Sequence, residues 1–159
     1  IIGTANVVLM CIKYNIKLIY LSTDYVYPGI DGNYNEEDYL KPFTNYGWSK
    51  LGGECSVRMH DNYLILRLAM NKRPFPHPKA LVDMKKSLMY IDEAVSVVLN
   101  LLDKTGTINV GGKSQSVYDF VKETNSNIGK ISLSDVSDVK MANDCSMDIS
   151  KMKEILNEL

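Results

Sequence analysis

The chain has 159 residues, 45% of them apolar and 23% charged, an ordinary globular mix with enough length for one real core. Eighteen Lys and Arg against nineteen Asp and Glu leave a net charge of −1, which excludes nucleic-acid binding through a bulk basic excess. No apolar run approaches the roughly 20 residues a bilayer span needs, and no charged-then-apolar leader opens the chain. Cys11, Cys55 and Cys145 form no CxxC pair and no even set, so reduced thiols, a cytoplasmic setting and no metal site are expected.

The first residue is Ile1, and a helix is already running there: Ile1, Ala5, Val8, Leu9 and Ile12 share one face at helical spacing, with no capping residue before them. That pattern reads as the C-terminal piece of a longer chain, the alternative being a product that truly begins here. Asn15 is a plausible stop after Tyr14. Residues 17–22, Lys-Leu-Ile-Tyr-Leu-Ser, read as a buried strand. Thr23 to Thr44 carries Pro28, Gly29, Gly32 and Pro42 and reads as a long surface loop. Asn45 to His60 is a predicted helix, and Tyr63 to Leu68 a second buried strand. Three prolines from Asn71 to Pro78 forbid regular structure. A short strand is expected at Leu88 to Tyr90, then a helix from Asp92 to Asp103 with Ala94, Val95, Val98, Leu99 and Leu102 inward. Thr107 to Val110 reads as a strand closed by a tight turn at Gly111-Gly112. Ser116 caps a further helix with Asp119 at its third position. A strand at Ile131 to Leu133 and a helix from Met147 to Leu159 complete the chain, and Ser134 to Cys145 is the least structured stretch. Alternating strands and helices predict an α/β fold: a mostly parallel sheet with helices on its faces.

Tyr46 and Lys50 stand four residues apart, so a helix places them on one face. A free phenol, with a pKa near 10, is a poor acid–base group at neutral pH, and a nearby ammonium stabilises its ionised form. A phenol tuned in this way can exchange a proton with a carbonyl or alcohol oxygen. Thr23 lies where a strand leaves the sheet, beyond the carboxyl end at which open α/β sheets bind ligands. Hydroxyl, phenol and ammonium are the parts required for reducing a carbonyl with a nicotinamide. Alone, however, a YxxxK pair arises by chance in many helices.

The surroundings are more specific. Residues 22–29 read Ser-Thr-Asp-Tyr-Val-Tyr-Pro-Gly, and residues 42–54 read Pro-Phe-Thr-Asn-Tyr-Gly-Trp-Ser-Lys-Leu-Gly-Gly-Glu. Together they resemble the extended short-chain dehydrogenase/reductases, in particular the dTDP-4-dehydrorhamnose reductase-like branch of sugar-nucleotide reductases. The likeness extends to Leu66-Arg67-Leu68 and to residues 108–112, Ile-Asn-Val-Gly-Gly. It implies a Rossmann-like, mostly parallel sheet with helices on both faces. Residues 1–70 would be the C-terminal half of a dinucleotide-binding domain carrying the catalytic residues. Residues 71–159 would be a small C-terminal substrate-binding part interleaved with the last Rossmann elements. Thr23 would hold the carbonyl oxygen, Tyr46 would protonate it, and Lys50 would tune Tyr46 and bond the nicotinamide ribose. Leu68, Ala69 and Met70 would lie against the nicotinamide of NADP or NAD. Asp24 and Tyr25 would contact the sugar. The implied substrate is a nucleotide-linked 4-keto-6-deoxy sugar, and a homodimer would be in keeping with relatives.

The chain departs from this pattern in having neither GxxGxxG nor GxGxxG, the glycine loop that lets a backbone approach a pyrophosphate. On the resemblance, the fold expected is N-terminally incomplete, lacking roughly 60–80 residues, or about two βαβ repeats. Lys72, Arg73 and His77 suit contacts to substrate phosphates, and equally suit a stiff surface loop with solvated charges. Trp48 is expected to be partly packed, His60 to serve as a charge partner at a helix end, Arg67 to be paired structurally, and residues 36–38 to form a solvated acidic loop. Two other functions fit the sequence: an epimerase or dehydratase of the same superfamily, with Asp24 as the added acid, and a non-catalytic partner subunit resembling the regulatory subunit of methionine adenosyltransferase.

Overall fold

The computed structural model describes residues 1–136 and 141–157. Helix α1 (Ile2–Tyr14) ends where Asn15 turns left-handed (φ 52°) and its N–H caps the Cys11 and Ile12 carbonyls, the stop expected from its sequence. Strand β1 (Leu18–Thr23) follows, then a 3₁₀ turn at Asp24–Val26, helix α2 (Asn45–Val57) and strand β2 (Tyr63–Leu68). Thr44 caps α2, its hydroxyl accepting the Gly47 N–H at 3.0 Å. Short strands β3 (Met70–Asn71), β4 (Lys79–Leu81), β5 (Lys85–Lys86) and β6 (Met89–Tyr90) precede helix α3 (Ile91–Leu101). Strand β7 (Gly106–Val110) then precedes β8 (Gln115–Ser116), α4 (Val117–Lys122), β9 (Gly129–Ile131) and α5 (Ser150–Asn157).

The main sheet runs β1-β2-β7, with every pair parallel and each connection crossing through a helix. β2 is central and buried on both faces. On one face Ile65 packs with Val8 of α1 and Val57 of α2. On the other, Leu64, Leu66 and Leu68 join Ile108, Val110 and Leu101 of α3 in the main core. The fold is therefore α/β and Rossmann-like, with helices on both faces of a parallel sheet. The short strands pair as β3-β6, β4-β9 and β5-β8. No helix among the described residues is long and apolar enough to cross a membrane.

Several local expectations need correction. In α1 the buried line is Val8 and Cys11, while Ile1, Leu9 and Ile12 are exposed. The helix is apolar around most of its circumference, so its inner face is chosen by contact with Val57 and Ile65 rather than by periodicity. The same holds for α3. Ala94 and Leu101, one heptad apart, point inward, and Val95 and Leu99 are 51% and 61% exposed. Residues 23–44 are not a surface loop throughout, for Val26 and Tyr27 are fully buried and Tyr34 bridges to Met147. Asn71 is paired in β3 despite the prolines that follow. The strand expected at 131–133 lies two residues earlier, and Leu133 begins a 3₁₀ turn. Met147 pairs with Tyr34 instead of opening the last helix, which starts at Ser150. The expectation for 134–145 falls partly on residues 137–140, outside those described. Residues 143–145 are well anchored, with Asn143 N–H donating to Gly29 O at 3.0 Å and Cys145 N–H to Lys85 O at 3.0 Å. Gly111 and Gly112 mark a close backbone approach, since a Cβ at either would collide with the carbonyl of Ser87 or Leu88. Trp48 is 54% exposed. His60 is buried and bonds the Ile16 carbonyl through Nε2 at 2.8 Å, tying the end of α2 to the entry of β1.

Candidate active site

A cleft of about 250 Å³ opens at the carboxyl end of the sheet, where β1 and β2 finish side by side with Thr23 opposite Leu68. β1 supplies Ser22 and Thr23, and the 3₁₀ turn supplies Asp24 and Tyr25. Leu68 and Met70 form an apolar wall, and Tyr46 reaches the cleft from the first turn of α2. α2 can come this close because residue 47 is glycine: a Cβ there would collide with the Tyr25 carbonyl. Lys86 of β5 closes the far side.

Hydrogen bonding links these groups. Thr23 Oγ1 donates to Asp24 Oδ1 at 3.0 Å and accepts the Tyr25 N–H at 3.3 Å. Asp24 Oδ2 lies 2.8 Å from Lys86 Nζ, with side chains only 2% and 13% exposed. Burial pulls the Lys86 ammonium toward neutrality, but Asp24, together with Tyr25 and Cys145, outweighs it, so its pKa stands above that of an ordinary lysine. Lys86 Nζ also lies 4.1 Å from the centre of the Tyr25 ring. Burial raises the Tyr25 phenol, against the opposing pull of Lys86. The Tyr25 ring in turn meets Tyr46 edge-on, centroids 6.5 Å apart at 80°. Ser22 Oγ is buried and has no hydrogen-bond partner among the described residues, although it lines the cleft.

α2 is pinned from below. Arg67 of β2 holds Glu54 in a two-pronged pair, Nε to Oε1 at 3.1 Å and Nη2 to Oε2 at 2.9 Å, both side chains fully buried. Arg67 Nη1 donates to Tyr27 Oη at 2.8 Å and to the Glu36 carbonyl at 3.1 Å. Tyr27 Oη lies 2.8 Å from Asn109 Oδ1, and Asn109 Nδ2 donates to the Tyr34 and Asp148 carbonyls at 2.9 and 3.1 Å. Arg67 is thus paired structurally. Glu36, expected in a solvated loop, instead accepts the Asn109 N–H at 2.8 Å. Burial pushes the Tyr27 phenol up to about 12 in spite of Arg67.

Of the residues singled out in the sequence, Thr23, Asp24, Tyr25, Tyr46, Leu68 and Met70 share this cleft, and Ala69 is buried behind it. Lys50 follows Tyr46 one turn along α2. Its Nζ lies 4.3 Å from the centre of the Tyr20 ring, and its carbonyl accepts from the Tyr20 hydroxyl at 3.2 Å. Lys72 and Arg73 line a separate groove with Ile91 and Asp92, where Arg73 pairs with Glu93 at 2.6 Å. His77 stands against Phe75 in another, largely apolar groove. Sequence reasoning missed Ser22 and Lys86. Lys86 is 62 positions from Asp24 and belongs to no motif, so only the antiparallel pairing of β5 with β8 brings it in.

A small cleft at strand ends thus brings together a threonine hydroxyl and a helix-borne phenol, and comparison with known proteins shows what the chain resembles. Residues 1–72 match the family model described as the RmlD substrate binding domain. A probable low-salt glycan biosynthesis reductase, Agl14 of Haloferax volcanii, is 45% identical over 71 residues, covering 42% of this chain and 24% of that protein. Methionine adenosyltransferase 2 subunit beta of Danio rerio is 49% identical over 43 residues, covering 27% of this chain and 13% of that protein. The crystal structure of a dTDP-4-dehydrorhamnose reductase from Bacillus anthracis in complex with NADP superposes with a TM-score of 0.81 at 24% identity, over 98% of this chain and 63% of that one. The matches thus span well under two thirds of the curated relatives' length. Over its first 72 residues the chain is similar in sequence to the RmlD substrate binding domain, and over nearly all of its length it shares the fold of that dTDP-4-dehydrorhamnose reductase structure.

Proposed function

We propose that the chain carries the catalytic half of a nicotinamide-dependent reductase acting on a nucleotide-linked 4-keto-6-deoxy sugar. The observation that carries this reading is the convergence of Thr23 and Tyr46, from different elements, on one cleft at the carboxyl end of a parallel sheet. The reductases in the comparison, one of them crystallised with NADP, support the same chemistry.

In this reading the Thr23 hydroxyl turns its hydrogen from Asp24 to the substrate carbonyl oxygen, and Tyr46 delivers its proton to that oxygen as negative charge develops there. Asp24 and Tyr25 face the sugar. Lys50, one turn from Tyr46, is the residue for the cofactor ribose. The apolar wall of Leu68 and Met70, with Ala69 behind it, suits a nicotinamide ring, and the unpartnered Ser22 hydroxyl leaves a buried polar atom for a bound group. A nicotinamide bound there supplies the hydride for the carbonyl carbon. Residues 1–70 form the cofactor-side part and 71–159 the substrate part, with β7 returning to the shared sheet. Lys72, Arg73 and His77, in grooves beyond the cleft, are assigned to the substrate's phosphates. A cytoplasmic homodimer is the setting in which we place this activity.

The test is NADPH oxidation by the natural polypeptide carrying this chain, with dTDP-4-dehydrorhamnose as substrate. Tyr46→Phe should lower kcat by about 10²–10⁴-fold with substrate affinity retained. Near-normal turnover in that variant removes Tyr46 from the mechanism. A second reading has its own observations: the likeness to methionine adenosyltransferase 2 subunit beta, and a Lys50 ammonium that sits on the Tyr20 ring. It makes the chain a partner subunit, and predicts a stoichiometric complex with no turnover on any keto sugar.

A further inference from the structure

We propose that Lys86 is a positioning and specificity residue of this site, holding Thr23 and Tyr46 in place through Asp24 and Tyr25 and donating a hydrogen bond to a hydroxyl of the bound sugar ring. The inference rests on the reading above of Thr23 and Tyr46 as the hydroxyls that meet the substrate carbonyl.

Three observations carry it. Among the described residues Lys86 is the one ammonium that lines the cleft, and its side chain is largely buried while still opening onto it. It also contacts both branches of the site. On one side Nζ meets Asp24 Oδ2 at 2.8 Å, and the other oxygen of that carboxylate takes the Thr23 hydroxyl at 3.0 Å. On the other side Nζ lies 4.1 Å from the centre of the Tyr25 ring, which stands edge-on to Tyr46. Finally, an ammonium has three N–H groups. Asp24 takes one and the face of Tyr25 engages a second, which leaves one for the cleft.

Lys86 and Asp24 together are neutral, so the pair presents a donor beside an acceptor rather than a net charge. That is the surface a sugar hydroxyl matches, since a hydroxyl both donates and accepts. The size agrees. At about 250 Å³ the cleft lies just below the ~300 Å³ at which sites for drug-sized ligands begin, a size in keeping with a sugar ring. Lys86 owes its place to backbone pairing. β5 is held on one side by β8 and on the other by residues 143–145, where Lys85 O accepts the Cys145 N–H at 3.0 Å.

The experiment compares wild type with Lys86→Met and Lys86→Arg in the natural polypeptide. Calorimetry reads the affinity for dTDP-glucose and for dTDP alone, and steady-state kinetics read kcat and KM for dTDP-4-dehydrorhamnose with NADPH. Lys86→Met should leave dTDP binding unchanged, weaken dTDP-glucose by about 10- to 100-fold, and lower kcat as well. Lys86→Arg, which keeps the charge, should fall between the two. Unchanged dTDP-glucose affinity and kcat in Lys86→Met overturn the proposal. Should Lys86→Met fail to fold, Lys86→Gln, which can still hydrogen-bond Asp24 but lacks the charge, carries the same comparison with a smaller expected loss, and no loss at all overturns the proposal. Should the wild type neither bind nor reduce a nucleotide sugar, it is the functional reading that fails, and crystal structures then decide the positioning role. Asp24 and Thr23 swinging out of contact in Lys86→Met support it, and unchanged side-chain positions refute it.

Discussion

Two buried ion pairs lie within the same fold, and they are built differently. Glu54–Arg67, beneath α2, is fully enclosed, two-pronged, and continued through Tyr27 and Asn109 to backbone carbonyls. Asp24–Lys86, at the strand ends, is a single contact that opens onto a cleft beside the Ser22 hydroxyl, which has no partner among the described residues. A closed network whose buried polar groups all have partners fixes geometry. An open one keeps hydrogen-bonding capacity in reserve for a ligand. The difference separates a part of the site that is enclosed from a part that opens onto a cleft.

The largest effect expected from breaking this contrast is at the closed pair. Glu54→Ala leaves the Arg67 guanidinium buried without its counter-charge, and such a loss costs about 3–5 kcal/mol. Against a typical total of roughly 5–15 kcal/mol, that is enough to unfold much of the population. Urea denaturation should show the unfolding free energy falling by that amount, and a loss below about 1 kcal/mol would mean that the pair does not fix α2. Lys86→Met breaks the open pair, and its principal readout is ligand affinity. If both variants lost only stability, the contrast would collapse.

An alkaline titration sharpens the closed side further. The buried Tyr27 phenol has its folded pKa raised to about 12 from an ordinary value of 10.0. The folded state therefore holds the proton more tightly than the unfolded one. The stability this contributes is complete below pH 10 and is lost as pH rises toward about 12. Tyr20 and Tyr25 are raised too and act in the same direction. Denaturant midpoints measured across that window should fall, and Tyr27→Phe should flatten part of the slope. An unchanged slope in Tyr27→Phe would place the loss elsewhere.

A third test concerns the spacing that seats α2 on the sheet. Gly53 faces Tyr20, and a Cβ there would strike the Tyr20 phenol, which also carries Lys50 over its ring. Gly53→Ala should cost about 1–3 kcal/mol by overpacking and displace Lys50 along with the ring. Unchanged stability, with Tyr20 in place, would show that the interface yields.

How much of this was legible in the sequence depended on range. Short-range chemistry read well: Asn15 ends α1, Ser116 caps α4, and the motif residues Thr23, Asp24, Tyr25 and Tyr46 meet in one cleft. Burial in the apolar helices did not. α1 and α3 offer several plausible inner faces, and only the partners present in the fold select among them, so Leu9 and Leu99 turned outward. Long-range pairing was also invisible. Lys86 has a lysine before it and no motif around it, and it acquires meaning only when β5 packs beside residues 143–145. Arg67 was suspected of a structural pairing because a charge inside a buried strand must be paired, but nothing in the sequence named Glu54 as its partner.

The smallest effect closes the series of ion pairs. Arg73 and Glu93 make the shortest ion-pair contact among the described residues, 2.6 Å, yet their side chains are 44% and 52% exposed. Distance alone would rank the pair above Glu54–Arg67. Exposure reverses the order, because water already solvates both charges and holding two long side chains together costs entropy. Arg73→Ala should therefore change stability by no more than about 1 kcal/mol, part of it from lost contact with the Tyr90 ring, whose centre lies 4.0 Å from the guanidinium carbon. The same variant separates structure from recognition in the outer groove. If Arg73 holds a substrate phosphate, Arg73→Ala will weaken binding of dTDP itself while leaving the melting temperature of the free protein nearly unchanged. If it is only a solvated partner of Glu93, dTDP affinity will not move.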